Sequence, residues 1–315
     1  MEKLLQLMED FLLLKNFIGK KILILLILFA CCNVFAKNQL TPIDSGASIY
    51  SEYYPNSDSK FKGTIIFENG SGTDLTEWKS NHSFFNCIRK MGSIFIYDRN
   101  GLGKSPADLH VDVNNPITAE LISNKLSILL QKQHIPPPYL VVAHSYGAIY
   151  SGYFILKNPN LIKGILFVDP VPRDYHFSDE IYNKYKTGVQ QAKTHSSAFI
   201  YNKYKNSEAE VIYQLLGFEK SKKSLKKLGN IDNSIPVIIV SSTDMENKKP
   251  GPIKTDWFIT QKQWLNKNPA SKIIQVSSSH FIQIDQPKII CDQLKLLISD
   301  INTNGKEYHA YTKSK

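Results

Sequence analysis

Seven runs of apolar and β-branched residues recur along this chain, and helical stretches stand between most of them. They are Ala47 to Tyr53, Gly63 to Phe67, Ser93 to Tyr97, Tyr139 to Val142, Gly164 to Val168, Pro236 to Val240 and Lys272 to Val276. Strands that alternate with helices form parallel sheets, because a parallel neighbour can be reached only by a crossover. The expected class is therefore α/β, a mostly parallel central sheet with helices on both faces. Right-handed crossovers bring the C-terminal ends of such strands to one side, where ligands bind.

The helices carry their own signals. Asp74 can cap a helix whose Leu75, Trp78, Phe85 and Ile88 share one face, and Ile117 to Gln133 repeats the pattern with Leu121, Ile122, Leu126 and Leu129 before Pro136-Pro137-Pro138 stops it. Asp285 is expected to cap the last helix, with Pro287 in its first turn and Ile290, Leu294, Leu297 and Ile301 on its buried side. The alternation breaks between Val171 and Ser234, a charged, tyrosine-bearing stretch without a convincing strand. It is too long for an ordinary connection and reads as a helical cap insertion. The expected organisation is core over 37–170, cap over 171–234, core again over 235–301 and a disordered tail over 302–315.

At the N-terminus Lys20-Lys21 precede an unbroken apolar run from Ile22 to Ala30, and Val34-Phe35-Ala36 offers a signal-peptidase site. Residues 1–36 thus read as a cleaved signal peptide of an exported protein. The run is short for a membrane span, which needs about 20 residues, so retention as a membrane anchor is the minor alternative. Cleavage removes Cys31 and Cys32 and leaves Cys87 and Cys291, which can pair in an oxidising compartment. The chain is basic, with a formal charge of +10 and a dense run from Lys220 to Lys227. That run reads as a solvated helix face, with contact to an anionic membrane surface as the second option. No nucleic-acid motif accompanies it.

Two loops invite a chemical reading. Gly103-Lys104-Ser105 matches the second half of a phosphate-binding loop, but Asp98 stands where the first glycine belongs, so a nucleotide site is rejected. Ala143-His144-Ser145-Tyr146-Gly147 lies between a strand and a helix that opens on small residues, the setting that holds a serine out at the end of a sheet. A serine hydroxyl needs a base, and the base needs a third group to fix its tautomer. Ser145, Asp244 and His280 supply these in chain order, each at a strand end, with Asp169 as the second candidate for the acid. His144 is a poor base, because neighbours on such a turn point different ways, and Asp98 is expected to brace its glycine loop. An oxyanion would be met by the backbone N–H of Tyr146 and by the glycine loop after Phe67, through Ser71.

Four stretches together resemble the α/β-hydrolase superfamily, in its capped serine esterase and lipase form. They are Asn69-Gly70-Ser71 with Trp78, Tyr97 to Ser105, Pro137 to Gly147, and His280 to Pro287. The resemblance spans about Ala47 to Asp300. It implies Ser145 as nucleophile, Asp244 as acid, His280 as base, Ser71 and Tyr146 at the oxyanion hole, and neither cofactor nor metal. Asn69 stands where that family usually has histidine, and Ala143 where it usually has glycine. A serine nucleophile disfavours the dehalogenase and epoxide-hydrolase chemistries of the superfamily, which use aspartate. The fold also implies that the helices carrying Cys87 and Cys291 share one face of the sheet, so a disulfide between them is expected.

The function expected from the sequence is an exported hydrolase acting on small-molecule or lipid-like carboxylic esters through an acyl-enzyme. An acyltransferase or lyase using the same residues and a binding protein without turnover are the alternatives.

Overall fold

The computed structural model describes residues 36–43, 47–174, 179–243 and 257–313. The segment read as a signal peptide, but for Ala36, and the candidate acid Asp244 lie outside these residues. Eight strands form one sheet in the order β1-β2-β4-β3-β5-β6-β7-β8. They are β1 Lys37–Pro42, β2 Ser48–Tyr54, β3 Thr64–Glu68, β4 Ser93–Tyr97, β5 Tyr139–His144, β6 Ile162–Val168, β7 Val237–Ser242 and β8 Lys272–Val276. β2 pairs antiparallel with β4, and every pairing from β4 through β8 is parallel. The edge strand β1 was not expected. Its sequence, KNQLTP, is polar and mostly exposed, so it carries none of the apolar pattern that marks a buried strand.

The central strands are buried on both faces, and successive residues serve opposite layers. Ile66, Phe95, Val141, Ala143, Ile165, Phe167, Val237 and Ile239 pack with α3 (Ala119–Lys132) and α4 (Gly147–Lys157). Their neighbours Ile65, Phe67, Ile94, Ile96, Leu140, Val142, Leu166, Val168, Ile238 and Val240 pack against the other layer. That layer holds α1 (Thr76–Lys79), α2 (His82–Arg89) and the last helix, α10 (Pro287–Lys313). This alternation follows from the two-residue period of a strand, and it explains why continuous apolar runs mark these strands.

Asp74 accepts the N–H of Thr76 at the start of α1, but the expected single helix breaks, and Asn81 caps α2 by accepting from Phe84. The last helix continues past Ile301 to Lys313, because no proline interrupts that stretch. Cys87 on α2 and Cys291 on α10 are joined by a disulfide, with Cα atoms 6.4 Å apart.

Between β6 and β7 lie α5 (Asp179–Ala192), α6 (Ser197–Lys203) and the 23-residue α7 (Asn206–Leu228). α7 packs against α4 and α5. A buried ion cluster ties it to the core: Arg99, after β4, donates from Nε to Glu210 of α7 at 2.5 Å and from Nη1 to Glu68 of β3 at 2.7 Å. Arg99 also donates to the carbonyls of Asn69 and Gly70, while Glu210 accepts the N–H of Gly72 at 2.6 Å. The glycine loop and the helix above it are therefore held by the same guanidinium. After β7 come α8 (Trp257–Gln261) and, beyond β8, α9 (Ile282–Asp285). Among the described residues no helix is long and apolar enough to cross a membrane.

Candidate active site

β5 and β6 end side by side, and the residue after each strand adopts a left-handed backbone. Ser145 has φ 52° and Asp169 has φ 42°, a region costly for residues with a side chain. The turn at Ser145 is held because its N–H donates to the Val168 carbonyl at 3.0 Å and its own carbonyl accepts from Val171 at 2.9 Å. Gly147 is required just beyond: a Cβ there would come within 2.5 Å of the Asn69 carbonyl oxygen. Ala143, fully buried, fits between Glu68 of β3 and Phe167 of β6, so the turn closes without a glycine at that place.

His280 lies in the loop between β8 and α9. Its Nε2 is 2.7 Å from Ser145 Oγ, and its Nδ1 is 2.6 Å from Asp169 Oδ2. The acid that the structure brings to His280 is thus Asp169, the second candidate, while Asp244 lies outside the described residues. Nδ1 has room for one partner, and Asp169 fills it from the end of β6, next to the serine strand. The other oxygen, Oδ1, accepts from the Ser242 N–H at 3.1 Å, Trp257 Nε1 at 2.9 Å and Gln261 Nε2 at 2.9 Å. Four donors, counting His280, fix the plane of this wholly buried carboxylate.

Asp285, expected as a helix cap, is the last residue of α9. It accepts the Ser279 N–H at 3.0 Å and so braces the turn that delivers His280, while Pro287 begins α10. Asp98 holds its glycine loop as expected, accepting from Leu75 and Lys104.

His144 is buried beneath the site and touches neither the Ser145 hydroxyl nor the space above it. Its Nδ1 stands 2.5 Å from Glu77 Oε1 and its Nε2 2.9 Å from the carbonyl oxygen of His280. Glu77, on α1, also accepts the Gly70 N–H at 3.0 Å and Gln283 Nε2 at 2.7 Å, and it is bonded to Thr73. Burial alone would raise the Glu77 pKa and lower that of His144. The charge of each on the other, added to the hydrogen bonds each group makes, outweighs it, so the carboxylate is shifted down and the imidazole up. Sequence reading missed Glu77 because it lies in a helix of four residues with no motif around it.

Above Ser145 and His280 opens a cavity of about 330 Å³, lined by Ser71, Tyr146, Val171, Ile181, Tyr185, Val211, Gln214 and Trp257 among others. Ser71 and Tyr146, both expected at an oxyanion hole, therefore border the same space as Ser145. The backbone of Tyr146 stands at the N-terminus of α4, where the helix dipole favours negative charge. Asn69, in the place of the usual histidine, accepts from Trp78 Nε1 at 2.7 Å and donates to the Tyr97 carbonyl at 2.9 Å, anchoring the glycine loop. Such an arrangement can deprotonate Ser145 and stabilise an oxyanion next to it. The chain has the α/β-hydrolase fold. A haloalkane dehalogenase from Agrobacterium tumefaciens, DatA, matches over 84% of this chain and 97% of its own, with a TM-score of 0.61 and 17% identity. The carboxylesterase CesB of Bacillus subtilis matches over 84% and 92%, with a TM-score of 0.56 and 11% identity. In sequence, the chain is 28% identical over 239 residues to "Uncharacterized protein YqjL" of Bacillus subtilis, covering 72% of this chain and 80% of that one. No protein-family model matches the sequence. Among the described residues no cluster of side chains could hold a metal ion.

Proposed function

We propose that this α/β-hydrolase-fold protein is a serine hydrolase that cleaves carboxylic esters through an acyl-enzyme. The observation that carries the reading is the continuous chain from Ser145 Oγ to His280 Nε2 at 2.7 Å and from His280 Nδ1 to Asp169 Oδ2 at 2.6 Å. In this reading His280 takes the serine proton as Ser145 attacks the acyl carbon, then gives it to the leaving alcohol. Water, deprotonated by the same imidazole, releases the acid. The N–H groups of Ser71 and Tyr146 receive the oxyanion, and no cofactor takes part. Ser145 supports ester chemistry over that named for DatA, since a serine ester, unlike an aspartyl one, forms from an acyl donor.

A panel of p-nitrophenyl esters, run on the protein and on Ser145→Ala, tests the proposal. Loss of the nucleophile should lower kcat by about a millionfold, and equal hydrolysis by both proteins would overturn the assignment. Export belongs to the same proposal. It is supported by the basic, apolar and small-residue order of the first 36 residues and by the Cys87–Cys291 disulfide, since disulfides persist in oxidising compartments. N-terminal sequencing of the protein purified from its host checks it, and a retained residue 1 would refute it.

A further inference from the structure

Gln214 projects from α7 into the cavity over the catalytic serine although it is only 1% exposed. Its Oε1 accepts from Ser71 Oγ at 2.7 Å and from the Tyr150 hydroxyl at 3.4 Å. Two hydroxyl donors occupy both lone pairs of that oxygen and set the plane of the amide. The NH2 end is left over. Among the described residues Nε2 meets no acceptor, and it is not sealed within the protein. An amide held this way, in a space walled by Val171, Ile181, Val211 and Trp257, is a hydrogen-bond donor waiting for an acceptor.

We propose that Gln214 is a specificity-determining residue that selects acyl groups carrying an oxygen. The proposal rests on the ester-hydrolase reading, which also decides the side of the ester concerned. His280 must face the leaving oxygen to protonate it, whereas Gln214 is bonded to Ser71, on the oxyanion side. The amide therefore meets the acyl part. The substrate class is a short acyl chain with an ether, keto or hydroxyl oxygen near the scissile carbonyl. The cavity, about 330 Å³, is at the small end for ligand sites and suits a short chain. A plain hydrocarbon chain would leave the buried NH2 without a partner, and such mismatches discriminate more strongly than missing methylenes do.

The test uses p-nitrophenyl butyrate and p-nitrophenyl methoxyacetate, which differ by one methylene replaced by oxygen. Each kcat/KM is divided by the alkaline hydrolysis rate of the same ester, so that intrinsic reactivity cancels. The protein should favour the methoxyacetate by about tenfold, the worth of one good hydrogen bond. Gln214→Glu keeps acceptors for Ser71 and Tyr150 but has no N–H, and Gln214→Leu removes both ends; each should abolish the preference. Equal normalised rates in the unaltered protein, or a preference that survives both Gln214 variants, would overturn the proposal while leaving ester hydrolysis in place. If neither ester is hydrolysed, and a fluorophosphonate probe leaves Ser145 unlabelled, the ester-hydrolase reading falls and this inference with it.

Discussion

Nε2 of His144 lies 2.9 Å from the carbonyl oxygen of His280, so the residue before the candidate nucleophile holds the backbone of the candidate base. That carbonyl accepts from Nε2, while Nδ1 lies 2.5 Å from the Glu77 carboxylate, whose charge helps to hold the His144 pKa above its ordinary value. As a positioning residue His144 should act on turnover more than on binding. His144→Asn is expected to lower kcat up to about a hundredfold with little change in KM. Steady-state kinetics on one ester will show it, and a change confined to KM would contradict it.

The same pair makes a prediction about stability. The His144 pKa is raised on folding, so its contribution is complete below pH 6.5 and is lost as pH climbs through the folded value. The Glu77 pKa is lowered, so its contribution is present above pH 4.5 and is lost as pH falls through the folded value. Urea unfolding between pH 4 and 9 should show this contribution largest in the window between. Glu77→Gln leaves a buried charge unpaired and should cost about 3–5 kcal/mol there. A variant as stable as the parent throughout that window would show that the pair is not ionised.

Asp169 carries a sharper expectation. Its Oδ2 faces His280 and its Oδ1 accepts three N–H donors, so Asp169→Asn would place an N–H2 against groups that donate. The imidazole would lose the partner that sets its tautomer, and kcat should drop about ten-thousandfold. Asp244→Asn should leave kcat within about twofold. The reverse ranking, measured on the same ester, would return the acid's role to Asp244.

That choice of acid marks the limit of what the sequence could disclose. Ser145 and His280 were legible because each follows a strand whose apolar run is plain, and parallel strands bring such ends together. Asp169 and Asp244 follow the adjacent strands β6 and β7, so strand position alone does not separate them. What marks Asp169 is local: a left-handed turn and donors from Ser242, Trp257 and Gln261, which lie 73 to 92 residues downstream. β1 was hidden because an exposed edge strand needs no apolar pattern. Gln214 was equally silent, since one glutamine in a helix reads as surface until its partners in the core are known.

Glu68 should impose a pH dependence of opposite sense to the usual carboxylate. Burial, opposed by Arg99 and Tyr97 and reinforced by Glu210, pushes its pKa up to about 7. The folded protein then keeps a proton that the unfolded chain releases near pH 4.5, so stability falls as pH rises from 4.5 to 7 and this term is flat beyond. The loss is roughly 3 kcal/mol across that range. Glu68→Gln should remove it. Unfolding free energies at pH 5 and pH 7.5 decide the matter, and equal slopes in variant and parent would refute it.

The Cys87–Cys291 disulfide joins α2 to α10 across 204 residues of sequence, both on the face of the sheet that packs Ile65, Leu140 and Leu166. Closing so long a loop restricts the unfolded chain, by chain-entropy arithmetic worth roughly 5 kcal/mol. The two helices also bury Phe84, Ile88, Ile290 and Leu294 in one cluster, so their packing does not depend on the bond alone. Reduction should therefore lower the urea midpoint without dispersing the fold. The Ser145–His280–Asp169 hydrogen bonds involve neither cysteine nor either helix. Cys87→Ser paired with Cys291→Ser should accordingly lose stability while retaining its rate of Ser145 labelling by a fluorophosphonate. Equal midpoints with and without reductant, together with two free thiols by mass spectrometry of the non-reduced protein, would show that helix packing alone holds α2 and α10 together.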